Sequence, residues 1–457
     1  MDALSPQDSS FLFVENEINP MHIAMVAIFE GPPPHSDEIE QMISSKLDQV
    51  PRYRQKVRFM PFDLGQPIWV DDERFELQYH VRHTALPNPG SVDQLYTLVG
   101  RIMSHQLDRA RPLWESWVVE GLEGDRWALI SKTHHCLVDG VAGADLMSVL
   151  LDASPEAEHV PSPTWSPERK PSTLAMVAHS LSDNWRLPRE GIRAFGRVAT
   201  TPRRALRTLG DFSDGLATFR KFTDAPLEGS LNGPIGAHRR WRSAETTLKE
   251  IKRIRQRHGG TVNDTVLTAI ALAFRDLLIA RDEPIEGMRV RSMVPVSVRR
   301  KEERGTLNNR VSAVFVDLPV DIEDPALCLE AIRQEMDRIK AHHQADAAET
   351  LTALTGNSPP ALLALGARLV TEVEQHTVQT ITTNVPGPRE PLYAAGREMI
   401  SAFPYVPLVG SVRIAIAIFS YAGKLSFGVT GDYEGAPDLD VLTEGIESAL
   451  SLLLEGT

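Results

Sequence analysis

The chain has 457 residues, of which 42% are apolar and 24% charged, with 48 Lys and Arg against 61 Asp and Glu for a formal net charge of −13. That length exceeds one ordinary hydrophobic core and calls for at least two domains. The composition excludes wholesale disorder, and the acidic balance argues against nucleic acid as a partner.

Only Cys136 and Cys328 are present, so no disulfide framework is expected and a reducing, cytoplasmic compartment is the simplest home. Met1-Asp2-Ala3-Leu4-Ser5-Pro6 lacks the basic start and apolar core of a secretory signal. No apolar run approaches the roughly 20 residues that span a bilayer, so any membrane contact is expected to be peripheral.

In chain order, Met21 to Phe29 is an apolar run that reads as a strand, stopped by Pro32-Pro33-Pro34. Asp37 to Val50 spaces Ile39, Met42, Ile43 and Leu47 as an amphipathic helix does. Pro51 to Val57 reads as a turn leading into a strand, and its cations Arg52, Arg54 and Lys56 are also candidates for meeting phosphates. Glu76 to His83 alternates like a strand, and Val92 to Leu107 carries Leu95, Leu98, Val99, Ile102 and Met103 at helical spacing. Pro112-Leu113-Trp114-Glu115 leads into the strand Ser116 to Val119, with Trp114 read as a core aromatic. Trp127 to Lys132 then forms a strand that delivers His134 and His135 at its end, ahead of a helical pattern from Val141 to Leu151. The pair sits in a loop between strand and helix, a common place for chemistry.

Five prolines between Pro155 and Pro171 mark a linker. The helical segments after it carry Arg186, Arg189, Arg193 and Arg197 on one face, either a solvated stripe or a contact for an anionic lipid surface. The expected division is 1–154, a connector 155–228, and 229–457. In the last part, His238 to Arg242 is a compact basic cluster, Leu248 to His258 a helix, and Thr261 to Ile279 a second, apolar helix. Asn263 and Asp264 at its start suit a helix cap. Val290 to Val298 and Ala313 to Leu318 read as strands, Pro325 to Ala341 as a helix with Cys328 in the core, and Leu362 to Val370 as a buried helix. Gln379 to Val385 is a strand entering the tight turn Pro386-Gly387-Pro388. Ser411 to Phe419 and Lys424 to Asp432 form a hairpin, and Leu439 to Leu454 is the final helix.

The stretch Thr133-His134-His135-Cys136-Leu137-Val138-Asp139-Gly140 has the form H-H-x-x-x-D-G. With Leu4 to Phe11, Pro112-Leu113-Trp114, Asn263-Asp264 and Asn384-Val385-Pro386-Gly387-Pro388, all in order, it resembles the bacterial wax ester synthase/diacylglycerol acyltransferase family. That family lies within the wider group of chloramphenicol acetyltransferase-like enzymes. Thr383 stands where the family usually has serine. The resemblance implies an α/β fold of two such mixed-sheet domains, joined by a long crossover, with a channel between them. It implies transfer of a long acyl group from acyl-CoA, a substrate rather than a cofactor, to diacylglycerol or a fatty alcohol, at a membrane or lipid-droplet surface. No metal or covalent acyl-enzyme is implied.

A neutral imidazole can take the proton of an attacking hydroxyl because its pKa lies near the working pH. Spacing alone leaves His134 and His135 equivalent, although neighbours on a strand face opposite sides and only one should face substrate. The resemblance selects His135 as general base, with His134 in support, Asp139 as a scaffold acid paired with Arg299, and Gly140 permitting a turn. It adds Asn263, Asp264 and Asn384 as substrate-side residues. Two alternatives stay open: a related acyltransferase or condensation-type enzyme with another acceptor, and a catalytically silent acyl-CoA or lipid binder. The basic groups of His238 to Arg242 and Lys252 to Arg257 are candidates for the CoA phosphates.

Overall fold

The computed structural model describes residues 2–61, 65–137, 147–159, 165–173, 175–176, 229–297, 311–354 and 378–456, with the side chains of 6–7, 296–297, 311–313 and 342–354 excepted. Asp139, Gly140, Arg299, nearly all of the basic connector and the helix expected at Leu362 to Val370 lie outside them.

The N-terminal half runs β1 (Asp2–Ala3), α1 (Pro6–Val14), β2 (His22–Glu30), α2 (Ser36–Lys46), β3 (Gln55–Arg58) and β4 (Ile68–Asp71). It continues with α3 (Leu77–His80), β5 (Val81–Ala85), α4 (Val92–Ser104), β6 (Trp114–Leu122) and β7 (Arg126–His134). After residue 229 come β8 (Arg239–Thr247), α5 (Leu248–His258), α6 (Val262–Ala280), β9 (Val290–Ser297), β10 (Val311–Leu318) and α7 (Pro325–Leu354). The chain closes with β11 (Thr380–Pro386), β12 (Tyr393–Ala394), β13 (Arg397–Tyr405), β14 (Ile414–Tyr421), β15 (Lys424–Asp432) and α8 (Leu439–Glu455).

Two six-stranded mixed sheets carry the fold, in the orders β12-β13-β2-β7-β6-β5 and β10-β9-β11-β14-β15-β8, beside a small sheet β1-β4-β3. The α/β class with mixed sheets expected from the sequence is the one observed. The chain boundary near residue 229 does not divide the sheets, however. Strand β13, from the C-terminal half, pairs antiparallel with β2 along Met399 to Tyr405 and completes the N-terminal sheet. A partner hundreds of residues away leaves no local signature, so neither β13 nor β8 is among the expected strands. The sheets meet where β15 passes β13: a Cβ on Gly428 would lie 1.7 Å from the Pro404 carbonyl oxygen, so only glycine permits this approach.

Capping and patterning explain the helices. Helix α4 starts with a capping box in which Ser91 and Gln94 each accept from the other's backbone N–H. Its Leu95, Val99, Ile102 and Met103 are buried against one face of the N-terminal sheet. Helix α2 and residues 147–151 cover the opposite face. Helix α6 is buried nearly all round from Asp264 to Phe274, between the C-terminal sheet and its neighbouring helices, which is why its pattern is apolar rather than striped.

Some elements differ from expectation. Glu76 to His83 is a single helical turn, α3, followed by β5, because His80 packs inward on Trp114, with Tyr79 against the His80 ring, rather than alternating across a sheet. Helix α7 continues past Ala341 to Leu354, through several alanines of high helix propensity. Among the described residues, no helix is long and apolar enough to cross a membrane.

Candidate active site

Strand β7 ends at His134, and His135 opens a 3-10 turn through Leu137. The change of backbone geometry sends the two imidazoles to different surroundings. His134 is fully buried; its Nδ1 accepts from the Cys136 N–H at 3.1 Å. The proton is thereby left on Nε2, which faces Glu15 Oε1 at 3.5 Å.

Across the ladder His22 is the register partner of His134, with the rings edge to face at 5.7 Å. His22 Nε2 lies 3.1 Å from the same Glu15 oxygen. Glu15 also accepts from the Met21 N–H at 3.1 Å and from Arg109 Nε and Nη2 at 3.0 and 2.6 Å. Burial acts to raise the Glu15 pKa, but hydrogen bonds and charge from His134 and His22 outweigh it and hold the carboxyl well below the usual carboxylate range. Burial pushes His22 down to about 3, so its ring is neutral at pH 7. His22, His134 and Arg109 therefore surround a buried carboxylate directly behind the loop.

His135 differs. Its ring stacks on Phe11 of α1 with centroids 3.9 Å apart and planes 19° from parallel, and its backbone N–H donates to the Met21 carbonyl at 2.8 Å. The residue is half-buried, and its Nδ1 has no hydrogen-bond partner among the described residues. Burial lowers its pKa to about 4, outweighing its own backbone carbonyl, which acts the other way. The imidazole is neutral at pH 7 and uncommitted to any other side chain's proton. Cys136 is buried, and burial raises its thiol pKa well above the ordinary value, which removes it as a thiolate nucleophile.

The remaining sequence candidates fall into several places. Asp264 is the reciprocal member of a capping box with Thr261: its Oδ2 accepts from the Thr261 N–H at 2.7 Å and its own N–H donates to Thr261 Oγ1 at 3.2 Å. Its Oδ1 is buried without a partner among the described residues. Asn263 is half-buried in the same first turn. Asn384 is half-buried on β11, in parallel register with Ile418 of β14. The turn after it packs so closely that a Cβ on Gly387 would lie 2.2 Å from Phe419 Cζ and 2.4 Å from the Ser420 carbonyl oxygen.

Trp114 is core, stacked between Tyr53 and His80 at 4.3 and 4.6 Å, with its indole N–H donating to the Tyr53 carbonyl. Several of the cations offered for phosphate already have partners within the fold. Arg54 pairs with Asp48 at 2.6 Å and Lys56 with Asp72 at 2.8 Å. Arg239 is buried beside Asp432, Arg240 lies over Tyr433, and Arg242 pairs with Asp440 at 2.5 Å. The sequence also missed Glu15, His22, Phe11 and Arg109 as members of the site. The ladder register that sets His22 opposite His134 is a tertiary fact with no local signal.

Comparison with known proteins identifies the family. The wax ester synthase/diacylglycerol acyltransferase catalytic domain model matches residues 4–266, and the C-terminal domain model of the same family matches residues 307–454. The chain is 34% identical over 456 residues to a probable diacylglycerol O-acyltransferase of Mycobacterium tuberculosis, covering 99% of this chain and 96% of that one. A second probable diacylglycerol O-acyltransferase of that organism is 31% identical over 466 residues, covering 98% of each. The solved wax ester synthase/diacylglycerol acyltransferase of Marinobacter aquaeolei superposes with a TM-score of 0.72 at 26% identity, covering 100% of this chain and 99% of that one. The first condensation domain of the calcium-dependent antibiotic synthetase shares the fold, with a TM-score of 0.58 at 16% identity over 99% and 96% of the two chains. With its fold, its histidine loop and both family domains in place, the chain belongs to the wax ester synthase/diacylglycerol acyltransferase family and is an acyltransferase.

Proposed function

We propose that this acyltransferase moves a long-chain acyl group from acyl-CoA to the hydroxyl of diacylglycerol, giving triacylglycerol, or of a fatty alcohol, giving a wax ester, with His135 as general base. The observation that carries the assignment is the division of labour in the pair. The ring of His134 is held between the Cys136 amide and Glu15, whereas His135 presents a neutral imidazole stacked on Phe11, its Nδ1 without a partner among the described residues.

In the step, the acceptor oxygen attacks the thioester carbonyl while His135 takes its proton. The tetrahedral adduct then collapses with cleavage of the C–S bond, and the imidazolium returns the proton to the departing sulfur, leaving ester and free CoA thiol. A neutral base of this kind contributes roughly 10²–10⁴ in rate. Asn384 is the candidate for stabilising the oxyanion and Asn263 for the substrate side. Asp139 paired with Arg299, and the turn at Gly140, would hold the loop. Acyl-CoA enters as substrate, and the chemistry requires neither metal nor cofactor. Apolar acceptors are reached from the surface of a membrane or lipid droplet on the cytoplasmic side.

The test is product analysis by mass spectrometry with diacylglycerol and hexadecanol competing for one acyl-CoA. Wild type should form ester and release CoA thiol, and His135→Ala should lose at least about 10² in kcat. Equal product from both proteins would overturn the assignment of the base.

A further inference from the structure

Arg239 opens β8 on the C-terminal sheet, and its side chain is 1% exposed, so its N–H groups must find acceptors within the protein. Those acceptors come from both halves of the chain. Nη1 donates to the carbonyls of Gly236 and His238 at 2.5 and 2.9 Å, and Nη2 donates to the carbonyl of Ile18. The guanidinium also donates to the Tyr405 hydroxyl of β13. Asp432, at the end of β15, faces the charge at 3.9 Å. The backbone N–H of Arg239 donates to Ser104 Oγ at the end of α4, at 2.9 Å. One residue of the C-terminal sheet thus holds α4, β13 and the loop that precedes β2.

Ile18 lies in the loop between α1 and β2, the same loop that builds the histidine site. The loop is braced from within, since Asn16 Oδ1 accepts from the N–H groups of Ile18 and Asn19 at 2.9 and 2.8 Å. At its two ends Glu15 accepts the Met21 N–H, and the Met21 carbonyl accepts the N–H of His135. A shift of the Ile18 carbonyl is therefore passed along the loop to the backbone of His135. From this path, and resting on the assignment of His135 as general base, we infer that Arg239 is a positioning residue for acyl transfer. It sets the histidine loop from the opposite sheet, so the base is in place only when the two sheets are seated on each other. Arginine suits the task because its planar fork of donors fixes several carbonyls in direction at once, whereas a lysine ammonium sits on a flexible stem. Arg240 and Arg242 pair instead with Tyr433 and Asp440.

The test combines steady-state kinetics with hydrogen exchange on the full chain. Arg239→Lys should lower kcat by at least about tenfold while KM for acyl-CoA stays within about threefold, since a misplacement of about 1 Å at reacting groups costs on the order of 10² in rate. The amides of Met21 and His135 should exchange at least about tenfold faster, with those of Leu129 and Ile130 inside β7 unchanged. An arginine that only stabilises the fold would speed exchange at all of these amides alike and leave kcat of the folded protein at its wild-type value; either result overturns the inference. Asn16→Ala, at an exposed side chain, frees Ile18 from the other side. Added to Arg239→Lys it should lower kcat no further than the stronger single change, because both act through one loop, and additive losses would overturn the inference. Wild-type kcat and exchange in Asn16→Ala would do the same, which decides the matter if Arg239→Lys fails to fold. Undiminished turnover in His135→Ala would instead sink the assignment of the base, and exchange at Met21 and His135 would still report whether Arg239 holds the loop.

Discussion

Replacing Glu15 by glutamine tests whether the buried carboxylate holds the catalytic loop. The side chain of Glu15 is 1% exposed, accepts from the Met21 N–H and Arg109, and lies 3.1 and 3.5 Å from the Nε2 atoms of His22 and His134. Glutamine keeps the shape but replaces one acceptor oxygen with an NH₂ group. That group must face either the Met21 N–H or the arginine, and in both cases donor meets donor. Breaking a buried charged pair from one side costs about 3–5 kcal/mol. Because the Arg109 side chain is 39% exposed and can turn to water, the lower end, about 3 kcal/mol, applies. The loop feels the change directly, since Met21 donates its N–H to Glu15 and accepts the N–H of His135 through its carbonyl. Urea unfolding should show the loss as a lowered midpoint at constant slope. At concentrations where the variant remains folded, kcat should fall more than KM rises. A midpoint within about 1 kcal/mol of wild type, with unchanged kcat, would refute the view that Glu15 anchors the loop.

Acid should weaken the fold well before carboxylates titrate. His22 is held down to about 3 and His80 and His135 to about 4, in each case chiefly by burial. The unfolded chain takes these protons near pH 6.5 and the native one only near 3–4, so the stability is present above about pH 6.5 and is lost as pH falls. Linkage gives about 2 kcal/mol per histidine between pH 7 and pH 5, and urea midpoints across that range that do not move would contradict it. Gly387→Ala should cost about 1–3 kcal/mol through its clash with Phe419 and the Ser420 carbonyl, seen as a lower Tm. Asp264→Ala should cost about 1 kcal/mol for its capping box; a rise in KM beyond what that instability explains would instead give Asp264 a role toward substrate.

Much of the molecule is legible from residues alone. The strand-like run Trp127 to Lys132, the helical spacing of Val92 to Leu107, and the apolar run of α6 each act over a few neighbouring residues, and the helices and strands they define lie close to where the pattern puts them. The histidine motif names the chemistry, because few residues other than histidine change protonation near neutral pH. Tertiary structure decides which histidine is available. Register sets His22 opposite His134 and brings Glu15 from the end of α1 between them, so His134 is consumed by the fold and His135 is released to Phe11. The same dependence on distant partners hides β13, which closes the N-terminal sheet from the far half of the chain. It also gives Arg239, Arg240 and Arg242 of the basic cluster partners in ion pairs and a ring contact. Local sequence specifies backbone preference and side-chain type; which charges are neutralised, and which polar atoms stay free, depends on groups that only folding brings within hydrogen-bonding distance.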